Sequence, residues 1–343
     1  MSHHTPLVHA VRRRLLASAA LLLCGSFTTP LWAQAAAATV STTASADSWP
    51  NKPIRILVGF PGGSTPDMAA RVLADALGRA LGQTVVVENR PGASGNLAAD
   101  AVAKAVDDHT LGVLINGNLT TAKILNPALP FDPAKDFSLL SLLATAPLVL
   151  VAPPAAPDGK AFFAAAQAAG DKWNYGSVGI GSVGHLGMEV VKGRAGKLLA
   201  QHIPYNGNPA VVTALIGGQI QMALVPPGIA LPQVRAGRLK AIGLTGGRST
   251  LAPEVGTLAE LGVKADELEV WVALVGPAAL SKAAQQRLAR EVPVLLRAAE
   301  ARQRLFNAGW QVQATAPEGL RQRVQTESVI LADIIKTRGI KVE

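Results

Sequence analysis

The chain has 343 residues, of which 49% are hydrophobic, 16% are charged and only 4% are aromatic. This length suffices for two ordinary domains, and the apolar fraction excludes an intrinsically disordered chain. The formal net charge of +9 favours attraction to anions in general. Nucleic-acid binding is not expected, because the basic residues form no dense run and no aromatic platform accompanies them.

Residues 1–35 have the pattern of a secretory signal peptide. Three arginines at 12–14 precede the apolar stretch 15–23, and small residues then gather around Ala33. The apolar stretch is too short to span a membrane. We therefore predict export to the periplasm by the Sec route, with twin-arginine export as the alternative, and a flexible lead-in at 36–49.

Removal of this leader takes away Cys24, the single cysteine of the chain. The mature protein is then left without disulfide or thiol chemistry despite its oxidising compartment. Since the leader holds three of the 32 basic residues and none of the 23 acidic ones, the mature formal charge is 29 − 23, or +6.

From residue 54 onward, strand-like and helix-like segments alternate. The predicted strands lie at 54–60, 84–88, 111–116, 173–178, 201–205, 220–225, 239–245 and 269–275. Helices are predicted at 66–81 and 96–106, between the later strands, and over most of 281–338. This alternation indicates an α/β protein built from βαβ units with mainly parallel sheets.

Two long apolar segments, 139–151 and 268–276, bracket the middle of the chain. If both cross between lobes, residues 50–138 and 277–343 form lobe 1, and residues 152–267 form lobe 2. A cleft between lobes that are joined by two crossing strands can close by hinge motion.

The first loop with chemical potential is 60–67, which follows a strand and opens a helix. Thr65 is predicted as the N-cap and Pro66 as the first helical residue. The free N–H groups and the positive end of the helix dipole would then stabilise a carboxylate. The alternative, in which the glycines only make a tight turn and Asp67 only complements the dipole, is equally open.

Two further loops are expected at the same edge of the sheet. The segment 88–96 again joins a strand to a helix, and Asn116-Gly117-Asn118 ends the third strand. Ligands of open parallel sheets bind outside the carboxyl ends of the strands, where these loops lie. For Arg90 we expect a structural ion pair with Glu88 or Asp67 rather than a contact with the ligand.

The fourth loop contains Gly179, Gly181 and Gly184 in the spacing of a dinucleotide fingerprint. Such a site needs an acidic residue about 20 positions onward to hold the ribose. No Asp or Glu occurs between Glu189 and Glu254. An exported NAD(P)-dependent dehydrogenase, with Arg194 serving an NADP phosphate, is therefore the alternative rather than the preferred function.

The sequence offers little for catalysis, and neither a metal nor a cofactor is expected. After the leader, the histidines are His109, His185 and His202, and no Gly-x-Ser-x-Gly elbow surrounds a serine. His185 with Glu189 supplies at most two metal ligands on one helix face. We expect His185 to cap a helix or line the cleft.

Taken in order, the loops resemble those of the tripartite tricarboxylate transporter receptors, the Bordetella-type extracytoplasmic solute receptors. The run Glu88-Asn89-Arg90-Pro91-Gly92-Ala93 followed by Gly95-Asn96 is highly specific to that family, as are the segments 126–137 and 174–177. The other matching segments are 49–55, 60–71, 126–137, 174–177, 204–205, 217–219 and 236–239.

This resemblance implies a two-lobed, type II periplasmic-binding-protein fold that delivers a small carboxylate to the integral-membrane subunits of a permease. It implies dicarboxylates, aromatic acids or amino acids as ligands, and we expect a monomer. A ligand-binding partner of a signalling sensor is the alternative within the same fold. Carried over residue by residue, the ligand contacts are Gly63, Ser64 and Thr65 opposite Ser177 and Ser182, with Phe60, Asn116, His185 and Tyr205 as neighbours.

Two departures from the family pattern bear on the ligand. Residues 62–67 read Gly-Gly-Ser-Thr-Pro-Asp where the family usually has Pro-Gly-Gly-Ser-Thr-Asp, so the hydroxyl groups are shifted by one position. Val225 stands where family members often carry Asp. Without that carboxylate a ligand ammonium group would be unpaired, so we predict that amino acids are not bound and that bulky or aromatic acids are favoured.

Overall fold

The computed structural model describes residues 49–265 and 268–341. The predicted signal peptide, Cys24 and the lead-in up to residue 48 lie outside the described residues. Within those ranges, no helix combines the length and the apolar character that crossing a membrane requires.

The strands, in chain order, are β1 (Ile54–Val58), β2 (Val85–Asn89), β3 (Thr110–Ile115), β4 (Phe137–Pro147), β5 (Val149–Ala152), β6 (Asn174–Ser177), β7 (Gln201–Pro204), β8 (Met222–Val225), β9 (Lys240–Leu244), β10 (Glu269–Pro277) and β11 (Gln311–Val312). The helices are α1 (Thr65–Leu81), α2 (Asn96–Ala103), α3 (Asn116–Thr120), α4 (Ala122–Leu125), α5 (Gly159–Ala169), α6 (Val183–Arg194), α7 (Asn208–Ile216), α8 (Pro227–Arg235), α9 (Lys282–Arg297), α10 (Ala299–Asn307) and α11 (Pro317–Arg338).

The strands form two separate sheets, one in each lobe. The sheet of lobe 1 has the order β11-β4-β10-β3-β1-β2, and the sheet of lobe 2 has the order β7-β6-β8-β5-β9. Sequential strands joined through helices pair in parallel, as β1 does with β2 and β3, and β6 with β7 and β8. The predicted βαβ architecture is therefore present in both lobes.

The sheets are mixed, because strands that arrive from the other lobe run in reverse. In lobe 1, β10 is antiparallel to β3 and β4. In lobe 2, β5 is antiparallel to β8 and β9. Both β5 and β10 begin where the chain has just entered their lobe, so they point away from the crossing, whereas the parallel strands point toward it.

The apolar segment predicted as one crossing strand, 139–151, is two strands in the structure. β4 ends at Pro147 in the sheet of lobe 1, and β5 starts at Val149 in the sheet of lobe 2. Leu148 alone lies between them and is 2% exposed. Both strands are largely buried, and most of their residues are apolar, so the sequence reads as one long apolar segment in which Ser141 and Thr145 are the buried polar residues.

The two chain crossings are fastened together by one side chain. Thr245 follows β9, is fully buried and accepts a hydrogen bond from Leu148 N–H at its Oγ1 over 2.8 Å. The same hydroxyl donates to the carbonyl oxygen of Leu268 over 2.7 Å. Because Leu268 directly precedes β10, a single buried hydroxyl joins the outgoing chain to the returning chain.

Replacing Thr245 by Val tests this junction at nearly constant volume. The change leaves the buried Leu148 N–H and Leu268 carbonyl without their partner, so we expect the free energy of unfolding to fall by about 1–3 kcal/mol. Chemical denaturation of the purified protein measures the loss. Thr213→Val is the matched control, since Thr213 is exposed and donates only along its own helix. Equal stability of the two variants would contradict the role of Thr245.

Candidate functional site

The carboxyl ends of the parallel strands from both lobes meet at one cavity. Its lobe 1 wall consists of Phe60, Ser64, Thr65, Pro66 and Ile115. Its lobe 2 wall consists of Val178, Ser182, Val183, Gly184, Asn208, Leu224 and Pro226, and the chain crossings add Leu148 and Val270. The space open to the centres of water molecules is about 30 Å³, which accommodates about two waters.

A buried carboxylate shapes the first loop. Asp67 is 1% exposed and accepts hydrogen bonds from Gly63 N–H at 2.9 Å and from the guanidinium of Arg71 at 2.9 and 3.0 Å. Asn89 donates to Asp67 and to the carbonyl oxygen of Phe60, each over 2.8 Å. Burial alone would raise the pKa of Asp67, but these hydrogen bonds outweigh it and lower the pKa.

The predicted N-cap of this helix was wrong by one residue. Ser64 is the N-cap, so Thr65 and Pro66 are the first and second residues of α1. The shift arises because Asp67 reaches back to Gly63, whose φ of 76° lets the chain turn into the helix one position earlier. The hydroxyl of Ser64 does not cap the helix, and among the described residues it has no hydrogen-bond partner although it is buried.

Ser64 therefore presents an unsatisfied hydroxyl group to the cavity. The first turn of an α-helix also leaves N–H groups without helical acceptors, which gives that end a partial positive charge. The carbonyl oxygen of Thr65 is anchored by the indole N–H of Trp310 over 3.0 Å, and Trp310 is fully buried. The start of α1 is thus a rigid donor group that lacks an acceptor within the described protein.

A second helix start faces it from lobe 2. Ser182 is the N-cap of α6; its Oγ accepts from His185 N–H at 3.3 Å and donates to the carbonyl oxygen of Gly179 at 2.7 Å. Val183 and Gly184, whose first-turn N–H groups have no acceptor within the helix, line the cavity. Unlike the hydroxyl of Ser64, that of Ser182 is already hydrogen-bonded within its own loop. The groups that could donate to a ligand on this side are therefore the backbone N–H groups of α6.

Asn208, the first residue of α7, also lines the cavity and connects the lobes. Its Nδ2 lies 3.4 Å from the hydroxyl oxygen of Thr65. This residue was missed by the sequence analysis, although Gly207-Asn208-Pro209 after β7 has the same strand-to-helix pattern as the loops that were chosen. Applying the rule of the strand carboxyl ends to every strand would have found it.

Four of the ten predicted site residues line the cavity: Phe60, Ser64, Thr65 and Ser182. Gly63 is next to it, with its N–H held by Asp67. Asn116 follows the cavity residue Ile115, but its Nδ2 donates to the carboxylate of Glu327 over 2.8 Å. The ligand contacts expected of the ten residues remain predictions.

Val225 and Tyr205 are placed away from the cavity wall. Val225 is fully buried in the core of lobe 2 and pairs with Val149, whereas its neighbours Leu224 and Pro226 face the cavity. This follows from the alternation of side chains along β8. Tyr205 is half-buried and lines a groove at the outer end of the interlobe seam.

Ser177 and His185 belong to a layer directly behind the cavity. The rings of His185 and His202 stack with centroids 4.0 Å apart, and Tyr175 stacks on His202 at 5.0 Å. His202 Nε2 lies 2.7 Å from Ser177 Oγ, and His185 Nδ1 accepts a hydrogen bond from Gly181 N–H. These contacts fix the 177–185 loop from behind.

Burial lowers the pKa of both histidines, to about 4 for His185 and to about 3 for His202, where the neighbouring His185 lowers it further. Both rings are therefore neutral near pH 7. The other charged groups of the layer, Glu189 and Lys192, are paired with each other over 2.7 Å.

The second and third lobe 1 loops meet as expected. The side chain of Asn118 donates to the carbonyl oxygen of Ser94 at 3.0 Å and to Asn96 at 2.8 Å. Arg90 pairs with Glu88 at 2.7 Å, the structural ion pair that was expected.

The glycines of the dinucleotide-like loop serve to bring the lobes together. A Cβ atom on Gly179 would collide with Ser94, and one on Gly181 would collide with Leu125, both from lobe 1. The space beside these glycines is thus filled by protein rather than free for a pyrophosphate. Arg194 lies at the far end of α6, about 16 Å along the helix, and donates to the carbonyl oxygen of Lys264.

The histidine layer predicts how stability depends on pH. Both folded-state pKa values lie below the ordinary 6.5, so the unfolded chain binds protons that the folded chain does not as the pH falls from 6.5 toward 4. The contribution of the two histidines to the free energy of unfolding is fully present above pH 6.5. It declines through this window by up to about 1.4 kcal/mol per pH unit for each histidine.

Urea denaturation at pH 7 and pH 5 measures this decline, and His202→Gln is the comparison that isolates it. We expect the variant to lose less stability than the wild type between the two pH values. Without His202, the unfolded chain takes up one proton fewer relative to the folded chain. An unchanged pH slope would show that His202 is not buried as a neutral ring.

Comparison with known proteins adds a family and solved structures to this geometry. Residues 69–340 match the family described as "Tripartite tricarboxylate transporter family receptor". MatC from Rhodopseudomonas palustris, solved with bound malate, is 30% identical, with a TM-score of 0.78 over 84% of this chain and 100% of that chain. A second R. palustris protein, solved with adipate, is 27% identical, with a TM-score of 0.81 over 85% of this chain and 99% of that chain.

The periplasmic binding protein BugD is 26% identical and has a TM-score of 0.80 over 86% of this chain and 100% of that chain. These matches, each covering most of both chains, confirm the predicted two-lobed binding-protein fold.

Proposed function

The chain belongs to the tripartite tricarboxylate transporter receptor family, as its ordered loop motifs predicted, and we propose that it captures a small carboxylate between its two lobes for uptake by a membrane permease. The observation that carries this proposal is the pair of helix starts, α1 and α6, that face one cavity from opposite lobes. Peptide N–H groups at helix starts stabilise anions. Ser64 adds a buried hydroxyl that lacks a partner among the described residues.

The similar structures support the same ligand class. MatC was solved with malate and the second R. palustris protein with adipate, both of which are carboxylates. For this chain, the ligand, the export to the periplasm, the monomeric state and the partnership with integral-membrane permease subunits are parts of the proposal.

Binding requires the lobes to part and close. The cavity has room for about two water molecules, which is less than a carboxylate of several carbon atoms occupies. The contacts between the lobes at this point include two hydrogen bonds, Asn208 to Thr65 and Thr121 to the carbonyl oxygen of Gly181. Rotation about the chain crossings would break them and open the site.

Ser64→Ala tests the proposed carboxylate site. The acid is chosen as the one that gives the largest thermal shift in a panel of malate, adipate, hexanoate and benzoate, since a ligand at about 100 times its Kd stabilises by roughly 2.7 kcal/mol. Loss of a hydrogen bond to the charged group should raise Kd by about 10-fold to 100-fold in calorimetry. The melting temperature of the free protein should stay within about 2 °C, because the hydroxyl neither caps α1 nor bonds to protein.

Ser182→Ala is the matched comparison. Its hydroxyl caps α6, so its removal should lower the melting temperature of the free protein as well as the affinity. If Ser64→Ala binds the acid as well as the wild type does, the cavity is not the carboxylate site.

Amino acids should bind poorly, because no Asp or Glu side chain is found among the described residues that line the cavity. An ammonium group would enter the cavity without a counter-charge, at a cost of several kcal/mol. Calorimetry with the matched pairs succinate and aspartate, and glutarate and glutamate, measures this cost. Comparable affinity of an amino acid and its matched diacid would contradict the expectation.

A further inference from the structure

The cavity lining combines a few hydrogen-bond donors with apolar side chains. Its donors are the starts of α1 and α6 and the side chains of Ser64 and Asn208. The apolar side chains from the chain crossings and the strand ends, which we name the apolar wall, are those of Ile115, Leu148, Leu224, Pro226 and Val270. Within the described lining, no residue of either surface is Asp, Glu, Lys, Arg or His.

The backbone behind the apolar wall is already hydrogen-bonded. Leu148 N–H donates to Thr245 Oγ1 at 2.8 Å, and the Leu148 carbonyl oxygen accepts from Thr245 N–H at 2.8 Å. Leu224 is paired with Leu150 in the sheet of lobe 2, and Val270 is paired with Ala146 in the sheet of lobe 1. A carboxylate that reached this wall would meet no side-chain donor among its residues, and the N–H of Leu148 is already bonded.

The helix that starts at the apolar wall has fewer N–H groups at its start. α8 has Pro226 as its N-cap and Pro227 as its first residue, and proline has no N–H group. α1 and α7 each have a single proline, at the second helical position. With two consecutive prolines, the start of α8 is a poorer anion site than the start of α1 or α6.

The seam between the lobes closes the other route for a long ligand. Tyr205 lines a groove at the outer end of the contact between the lobes. Between this groove and the cavity lies a gap of only about 10 Å³, measured for the centres of water molecules. Ser94 against Gly179 and Thr121 bonded to the carbonyl oxygen of Gly181 form this barrier. The far end of a ligand in the closed protein therefore lies against the apolar wall.

We infer that the ligand carries a single carboxylate on an apolar body, so that this receptor selects monocarboxylates over dicarboxylates. The inference rests on the proposed function and narrows its ligand class. It separates this chain from the two similar proteins that were solved with malate and adipate. A dicarboxylate would leave one ionised group buried without a partner, whereas an apolar chain fills the same space favourably.

Calorimetry of the full mature protein with two matched pairs of acids tests the inference. Hexanoate and adipate share a six-carbon chain, and benzoate and terephthalate share a ring, so each pair differs by one carboxylate. We expect the monocarboxylate of at least one pair to bind at least 100-fold more tightly than its diacid partner. Equal or tighter binding of adipate, terephthalate or malate would overturn the inference and leave the proposed function standing. If none of these acids binds, both fail.

A charge placed on the apolar wall provides a second readout. Val270 is 8% exposed at the start of β10, so Val270→Lys offers a cation to a second carboxylate, and Val270→Met is the neutral control of similar length. We expect the ratio of adipate affinity to hexanoate affinity to rise at least 10-fold in the lysine variant relative to the methionine variant. An unchanged ratio in folded protein would overturn the placement of the far end of the ligand. Should Val270→Lys not fold, the wild-type pairs decide.

Discussion

The buried carboxylate of Asp67 holds the first loop by joining three parts of lobe 1, namely Gly63 in the turn, Arg71 on α1 and Asn89 at the end of β2. An ionised group at 1% exposure is tolerated only when it is fully hydrogen-bonded. These bonds set where α1 begins, and the start of α1 in turn sets the direction of the Ser64 hydroxyl and the first N–H groups. The charge that builds the site thus lies behind it and not in it.

Both lobes follow the same plan, in which a second layer of polar groups fixes a loop that lines the cavity. In lobe 1 that layer is ionic and centres on Asp67, and in lobe 2 it is the neutral stack of His185 and His202 on Tyr175. Fixed dipoles that are held in place by such layers need not reorganise when an anion arrives. The unfavourable free energy of removing the carboxylate and the imidazole rings from water arises during folding and not when a ligand binds.

Much of this arrangement could be predicted from the sequence, and the failures have physical causes. Strand and helix alternation placed the loops correctly, and Phe60, Ser64, Thr65 and Ser182 line the cavity. The position of the N-cap depended on the long-range hydrogen bonds of Asp67, which no local rule contains. The face of β8 that meets the cavity depended on packing, so Leu224 and Pro226 line it while Val225 does not.

The absence of ionisable side chains from the described cavity wall governs how the protein responds to its surroundings. Because backbone dipoles carry no titratable proton, the affinity of an anion bound at this cavity near neutral pH would follow the ionisation of the ligand and not of the wall. Dipoles enclosed between two lobes are also poorly screened by dissolved ions, since a counter-ion cannot enter the closed site. An anion held there would keep most of its stabilisation when the ionic strength rises.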